Sequence, residues 1–270
     1  MRWTLERRDL LFMIETLMPE VNDREGAADL IQEDEAFIEA MLDDDRLFRR
    51  LMSEEEILLR VSPWLFFTAL LRQARRDLEG EAFTVERRSQ QKVVIFDTDR
   101  VIQLLEQEPL RDYLAGMLAS FTRVESVTVP VRVRKGVWRK YRVSDLDVDS
   151  LMRYCHILDE EFHFEPYKRI ADLCLFMAGM FPEYIDAQYR YPLSGQLRPR
   201  ARSRTCRNLE DYEAYGRAFY RLAAEHEMAR VEGLDEVLAT LSENFILAEK
   251  PLAFLADRYL RFARHRLFEL

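Results

Sequence analysis

The chain has 270 residues, of which 48% are hydrophobic, 33% charged and 11% aromatic, and its formal net charge is −9. This length supports a sizeable core without disulfides or metals, and the composition excludes a wholly disordered chain. With only 8 Gly and 9 Pro, a many-stranded sandwich or barrel is disfavoured, because its frequent turns need those residues. No apolar run approaches the ~20 residues of a membrane helix. Glu6, Arg7, Arg8, Asp9 and Glu15 among the apolar residues of Met1–Glu20 argue against a secretory signal and an acid-poor transit peptide. Cys155, Cys174 and Cys206 follow no disulfide spacing, so a reducing, cytoplasmic setting is expected. The expected fold class is mainly α with small β-hairpins.

The charge is segregated. Residues 1–60 hold 17 acidic and 8 basic side chains, residues 61–207 hold 24 basic and 20 acidic ones, and residues 208–270 hold 8 basic and 12 acidic ones. Two basic clusters lie in the middle stretch. Arg123, Arg132, Arg134, Lys135, Arg139, Lys140 and Arg142 face a single acid, Glu125, and Arg198, Arg200, Arg202, Arg204 and Arg207 face none. Local basic patches on an acidic chain fit polyanion binding, since binding responds to the local field. They equally fit pairing with the acidic residues of the same chain or of a partner.

In chain order, residues 1–61 read as an acidic region of short helices. Leu5, Leu10, Leu11, Ile14 and Leu17 have helical spacing, and Pro19 closes the segment. Ala27–Ile31 and Ala36–Leu42 follow. Ser53 with Glu56 predicts a capping box. Residues 62–164 form a central module. Ser62-Pro63 restarts a helix to about Leu78, with Gly80 as its stop. Phe83–Val85 and Val93–Phe96 are β-prone. A helix capped at Asp97 or Thr98 precedes one opened by Pro109, in which Leu110, Tyr113, Leu114, Met117, Leu118 and Phe121 make a single apolar stripe.

Val127–Val143 carries the clearest β pattern. A three-residue loop, Arg134-Lys135-Gly136, pairs Val133 with Val137, Val129 with Tyr141 and Val127 with Val143. Thr128, Pro130, Arg132, Trp138, Lys140 and Arg142 then share the other face, and Pro130 suits an edge strand. Ser144 is the expected cap of the next helix. Residues 165–270 form a C-terminal helical region. It has a basic loop at 184–207, a helix capped by Asn208 and a stop at Gly233, and its helices are expected to serve a homodimer or another partner.

No motif specifies a reaction. Glu160 and His163 have the Glu-x-x-His spacing of di-iron bundles, but no second copy exists. Cys-x-x-Cys, the P-loop, Gly-x-Gly-x-x-Gly, Gly-x-Ser-x-Gly, Ser-x-x-Lys and His-Glu-x-x-His are absent. The chain reads as non-enzymatic, with no cofactor and no metal.

The order helix 63–78, β segment 83–96, helix 98–107, helix 109–121 and basic hairpin 127–143, followed by the capped segment at Ser144, resembles the winged-helix family of bacterial DNA-binding regulators. Arg134-Lys135-Gly136-Val137-Trp138-Arg139-Lys140-Tyr141-Arg142-Val143-Ser144 is the most similar stretch. The resemblance implies that helix 109–121 enters the major groove of double-stranded DNA while the hairpin reaches phosphates or the minor groove. The expected nucleic-acid contacts are Arg132, Arg134, Lys135, Trp138, Lys140 and Arg142 on the hairpin, with Arg111 and Arg123. Base reading needs long polar side chains, whereas the face opposite the apolar stripe offers Arg111, Asp112, Ala115, Gly116, Ala119 and Ser120. The competing expectation is a helical interaction or scaffold protein that binds no nucleic acid.

Overall fold

The computed structural model describes residues 5–88, 91–123, 126–134, 137–144, 146–189 and 207–268, with backbone alone at 87–88, 91–92, 126–134, 137–144 and 186–189. The first elements are α1 (Arg7–Leu17), α2 (Arg24–Ile31), α3 (Glu35–Leu42), α4 (Asp45–Ser53), α5 (Ile57–Arg60) and α6 (Pro63–Leu78). Next come β1 (Thr84–Arg88), β2 (Gln91–Ile95), α7 (Thr98–Glu106), α8 (Glu108–Ser120), β3 (Ser126–Arg134) and β4 (Val137–Ser144). The remainder is α9 (Val148–Cys155), α10 (Phe164–Met180), α11 (Pro182–Tyr189), α12 (Leu209–Glu225), α13 (Glu227–Glu232), α14 (Asp235–Glu243), α15 (Phe245–Phe254) and α16 (Arg264–Leu267). The chain is mainly helical, and β1–β2 and β3–β4 are separate two-stranded sheets.

Two compact units divide these elements. One comprises 1–84, 96–123 and 257–270, and the other 85–95 and 124–256. Segment 62–164 therefore supplies α6, α7 and α8 to the first unit, and hairpin β3–β4 and α9 to the second.

The first unit is organised around α6, whose Leu65, Phe67, Leu70, Leu71 and Ala74 are fully enclosed. Ser62 caps this helix by accepting the Leu65 amide at 3.1 Å, and Pro63 occupies its first turn. A proline there loses nothing, because that N–H has no intrahelical partner. Helices α7 and α8 pack on α6, as do α3 and α4. Phe268 closes the same core, its ring stacked on Phe67 at 5.6 Å between centroids. The predicted capping box at Ser53 is not formed. Ser53 ends α4, its hydroxyl donating to the Arg50 carbonyl at 2.9 Å, while Glu54 is held by Arg50 and Arg60. Burial of Leu47 and Leu51 extends α4 through the position where a new helix was expected.

The second unit is built on α10, whose residues from Ile170 to Met180 are all buried. Helices α9, α12 and α15 pack around it, and α14 packs on α12. Asn208 forms the predicted N-terminal cap of α12, in a reciprocal box with Asp211 at 2.8 and 2.9 Å. Gly233 stops α13 with φ of 67°, a conformation that a side chain disfavours. Ser144, expected as a helix cap, instead ends β4 opposite Ser126, and Asp147 precedes α9. Burial of Phe245, Ala248 and Leu252 holds α15 together around Pro251. Pro251 lies inside α15, and a π-helical turn, Leu255–Tyr259, follows.

Candidate nucleic-acid interface and an acidic cavity

Hairpin β3–β4 has the predicted alignment over most of its length. Val127 lies opposite Val143, Val129 opposite Tyr141, Thr128 opposite Arg142, Pro130 opposite Lys140 and Arg132 opposite Trp138. The tip differs. The predicted pair Val133 and Val137 is replaced by Arg134 opposite Val137, with a register shift between Arg132 and Arg134. An extra residue on one strand bends the ribbon and raises its local twist. Lys135 and Gly136 lie outside the described residues, as do the side chains of Arg132, Arg134, Trp138, Lys140 and Arg142. Helix α9 follows β4 and packs on it.

Arg123 is exposed just beyond α8. Arg111 is placed differently from the expectation. It is 7% exposed, its Nη1 donates to the Leu105 carbonyl at 3.3 Å, and its Nη2 lies 3.9 Å from Glu39. Burial, aided by the neighbouring Arg72, pulls this guanidinium below the ordinary arginine value. The rest of α8 explains why. The apolar stripe from Leu110 to Phe121 is buried as predicted, but Ala115 and Gly116 on the opposite side are buried too. No residue of α8 beyond Pro109 is exposed. Small residues let neighbouring helices approach closely, so the helix implied for the major groove has both faces covered.

Several of the N-terminal carboxylates, among them Glu15, Glu25, Asp29, Glu39, Asp43 and Glu54, have arginine partners within their own unit. Arg72, 3% exposed, donates to Glu39 at 2.6 and 2.7 Å and to Asp43 at 3.0 Å. Burial lowers its pKa, but Glu39 and Asp43 together outweigh that effect and leave it raised. Arg60 donates to Glu54 at 2.7 Å and to Glu15 at 3.1 Å, and Arg7 bridges Glu25 and Asp29 at 2.7 and 2.6 Å.

The basic loop at 184–207 is described only at its ends, and 190–206 lie outside the described residues. Arg207 is enclosed, paired with Asp149 and stacked over Tyr215 at 5.0 Å. His163 is a structural histidine. Its Nε2–H donates to the Leu158 carbonyl at 3.0 Å, and its Nδ1 shares a hydrogen bond with the Tyr167 hydroxyl at 2.9 Å. Both ring nitrogens are thereby used. Among the described residues, no three His, Cys, Asp or Glu side chains come together as a metal site, and no helix is long and apolar enough to cross a membrane.

The second unit also holds a feature that the sequence reading missed. A cavity of about 270 Å³ opens between β1, α10, α12 and α15, with Glu86, Glu210, Glu213, Glu249 and Lys250 among its walls. Lys250 is 5% exposed and pairs with Glu86 at 3.0 Å. Glu249 Oε1 is sealed from solvent without a hydrogen-bond partner. Burial pushes the Glu249 carboxyl well above the usual glutamate range; Glu213 and Glu86 add to the rise, and Arg217 and Lys250 oppose it. The dipeptide Glu249-Lys250 in a helix resembles any solvated ion pair, so no local signal marks it. No protein-family model matches the chain, and neither a curated protein nor a solved structure matches it.

Proposed function

We propose that the chain associates with DNA through hairpin β3–β4, which contacts phosphates, while α8 reads no bases; the role is regulatory and non-catalytic. The observation that carries this reading is the register, with Arg132 opposite Trp138, Pro130 opposite Lys140 and Thr128 opposite Arg142. This ribbon lies in a stretch, 123–142, holding seven cations and one acid. A two-stranded ribbon is narrow enough for a DNA groove. Cations along it displace counterions from phosphates, which makes binding salt-dependent and nearly blind to sequence. The acidic helices support the same reading, since Glu15, Glu39, Asp43 and Glu54 pair with Arg60 and Arg72 in their own unit. Duplex binding across a salt series, with two unrelated sequences of equal length, is the test. Equal retardation that weakens in Arg132→Ala/Lys140→Ala/Arg142→Ala supports the proposal.

The covered α8 favours a second reading, a helical interaction protein without nucleic-acid binding. Absence of retardation at low ionic strength selects it. Sedimentation of the same samples reports whether the chain is the homodimer expected through its C-terminal helices.

A further inference from the structure

We propose that His226 is an acid-sensitive clasp, whose neutral ring caps α13 and ties it to the 3-10 turn Glu160–Phe162, and whose protonation opens the cap. The helix concerned has little else to hold it. It has only six residues, Glu227–Glu232, and ends at Gly233. Ala229 is its one buried residue, while Met228 and Val231 are 38% and 71% exposed. So short a helix makes few internal hydrogen bonds, and its stability rests on its ends. At the N-terminal end, His226 Nδ1 accepts the Met228 amide at 3.2 Å. The side chains that usually cap a helix present oxygens. The acceptor of a neutral imidazole is a single nitrogen lone pair, which a proton removes.

The second ring nitrogen fixes the tautomer. His226 Nε2 lies 3.1 Å from the Glu160 carbonyl, 66 positions earlier. A carbonyl only accepts and a backbone amide only donates, so Nε2 carries the hydrogen and Nδ1 the lone pair. The buried Phe164 ring at the start of α10 flanks the imidazole, with 5.8 Å between centroids. Protonation turns Nδ1 into a donor that confronts the Met228 N–H, whereas the bond to Glu160 persists and becomes charge-assisted. Acid therefore detaches the start of α13 without releasing the ring from the turn. The ionisable side chains on the surrounding elements are Asp159, Glu160 and Glu161 at that turn, His163, Glu165 and Lys168 at the start of α10, Arg221 and Glu225 on α12, and Glu227 and Arg230 on α13. Among the described residues none of these side chains is bonded to the ring, so no acceptor stands ready for a proton on Nδ1.

Amide hydrogen exchange of the full chain, followed by nuclear magnetic resonance and expressed relative to the unstructured rate, tests the clasp. At neutral pH the His226 ring should show the Nε2–H tautomer. Protection of the Met228 amide is expected to fall about fivefold on acidification, the effect of losing a typical cap, along the same curve as the ring titration. His226→Asn keeps a capping oxygen and no titrating ring, so its Met228 protection should stay level over the same range. His226→Ala should show the lowered protection already at neutral pH. The amide of Leu173, buried in α10, reports that the unit stays folded in all three proteins. An Nδ1–H tautomer at neutral pH, a level Met228 protection while the parent ring titrates, an equal fall in His226→Asn, or full protection in folded His226→Ala overturns the proposal.

Discussion

The carboxylate of Asp9 on α1 accepts both the backbone amide and the hydroxyl of Ser62, at 2.6 and 2.7 Å, across 53 positions of sequence. Ser62 in turn caps α6, so one buried acid ties the first helix of its unit to the start of the central one. The same carboxylate also accepts the Glu6 amide at 2.9 Å. Desolvation raises the Asp9 pKa despite these bonds. Asp9→Ala leaves buried donors without an acceptor, and a loss of about 2–3 kcal/mol is expected. Asp9→Asn keeps one acceptor oxygen and should lose less. Urea denaturation of the three proteins checks the order.

Arg72 predicts a smaller effect. Its guanidinium is enclosed, but its partners Glu39 and Asp43 are 42% and 49% exposed. Removing the cation leaves no carboxylate stranded in the interior, unlike the loss of one partner of a fully buried pair. Arg72→Met is expected to cost about 1–2 kcal/mol in chemical denaturation, and a further Glu39→Gln should add little to it.

Close packing at Gly216 predicts a sign opposite to helix propensity. A Cβ there would run into the Phe245 ring, and its next neighbour would be Cys174 Cβ at 3.1 Å. Alanine is the better helix former in isolation, yet Gly216→Ala is expected to destabilise by about 1–3 kcal/mol through overpacking. Adding Phe245→Leu should restore part of the loss. Thermal unfolding of the single and double variants decides it.

Glu249 predicts how stability changes with pH. Its folded-state pKa lies above the unfolded one, so the folded chain binds the proton more tightly. Its contribution is full below the ordinary glutamate pKa and is lost as pH rises through the raised value. Glu249→Gln cannot titrate. The variant should match the parent at acid pH and become progressively more stable than it as pH increases. Equal stabilities at every pH would contradict the assignment.

The hairpin predicts a salt slope. Three cations removed by Arg132→Ala/Lys140→Ala/Arg142→Ala should flatten the plot of log affinity against log salt by about 2–3. Exposed Arg123 replaced by Ala should flatten it by about 1 or not at all, and Arg111→Ala, being enclosed, should act through stability alone. Fluorescence anisotropy with a labelled duplex measures these slopes.

The sequence was most informative where periodicity and turn chemistry act locally. Ser62-Pro63 and Asn208 mark helix starts as expected, whereas the helix capped by Asn208 stops at Glu225 and Gly233 ends the separate α13. The alternating valines of β3 align with β4 up to Arg132 and Trp138, because a slip would exchange the two faces. The hairpin tip escaped the same reasoning, since an extra residue beyond Arg132 displaces Val133 alone and leaves every pair from Val127 to Arg132 in place. In α8 the apolar stripe was legible but the covering of the other face was not. Ala115 and Gly116 are compatible with solvent or with a close neighbour, and helices far away in sequence decide between them. Glu249 was invisible for a similar reason. Its enclosure depends on β1, α10 and α12, which no short window around it contains.

The stacking of Phe268 on Phe67 has a consequence for biosynthesis. A nascent chain leaving the ribosome releases α6 some 200 residues before the ring that covers it. Until then Phe67 lacks its cover, so the first unit completes its core only after the whole of the second has been translated. Chaperone binding to stalled chains that end before residue 257 would be directed at this uncovered aromatic surface.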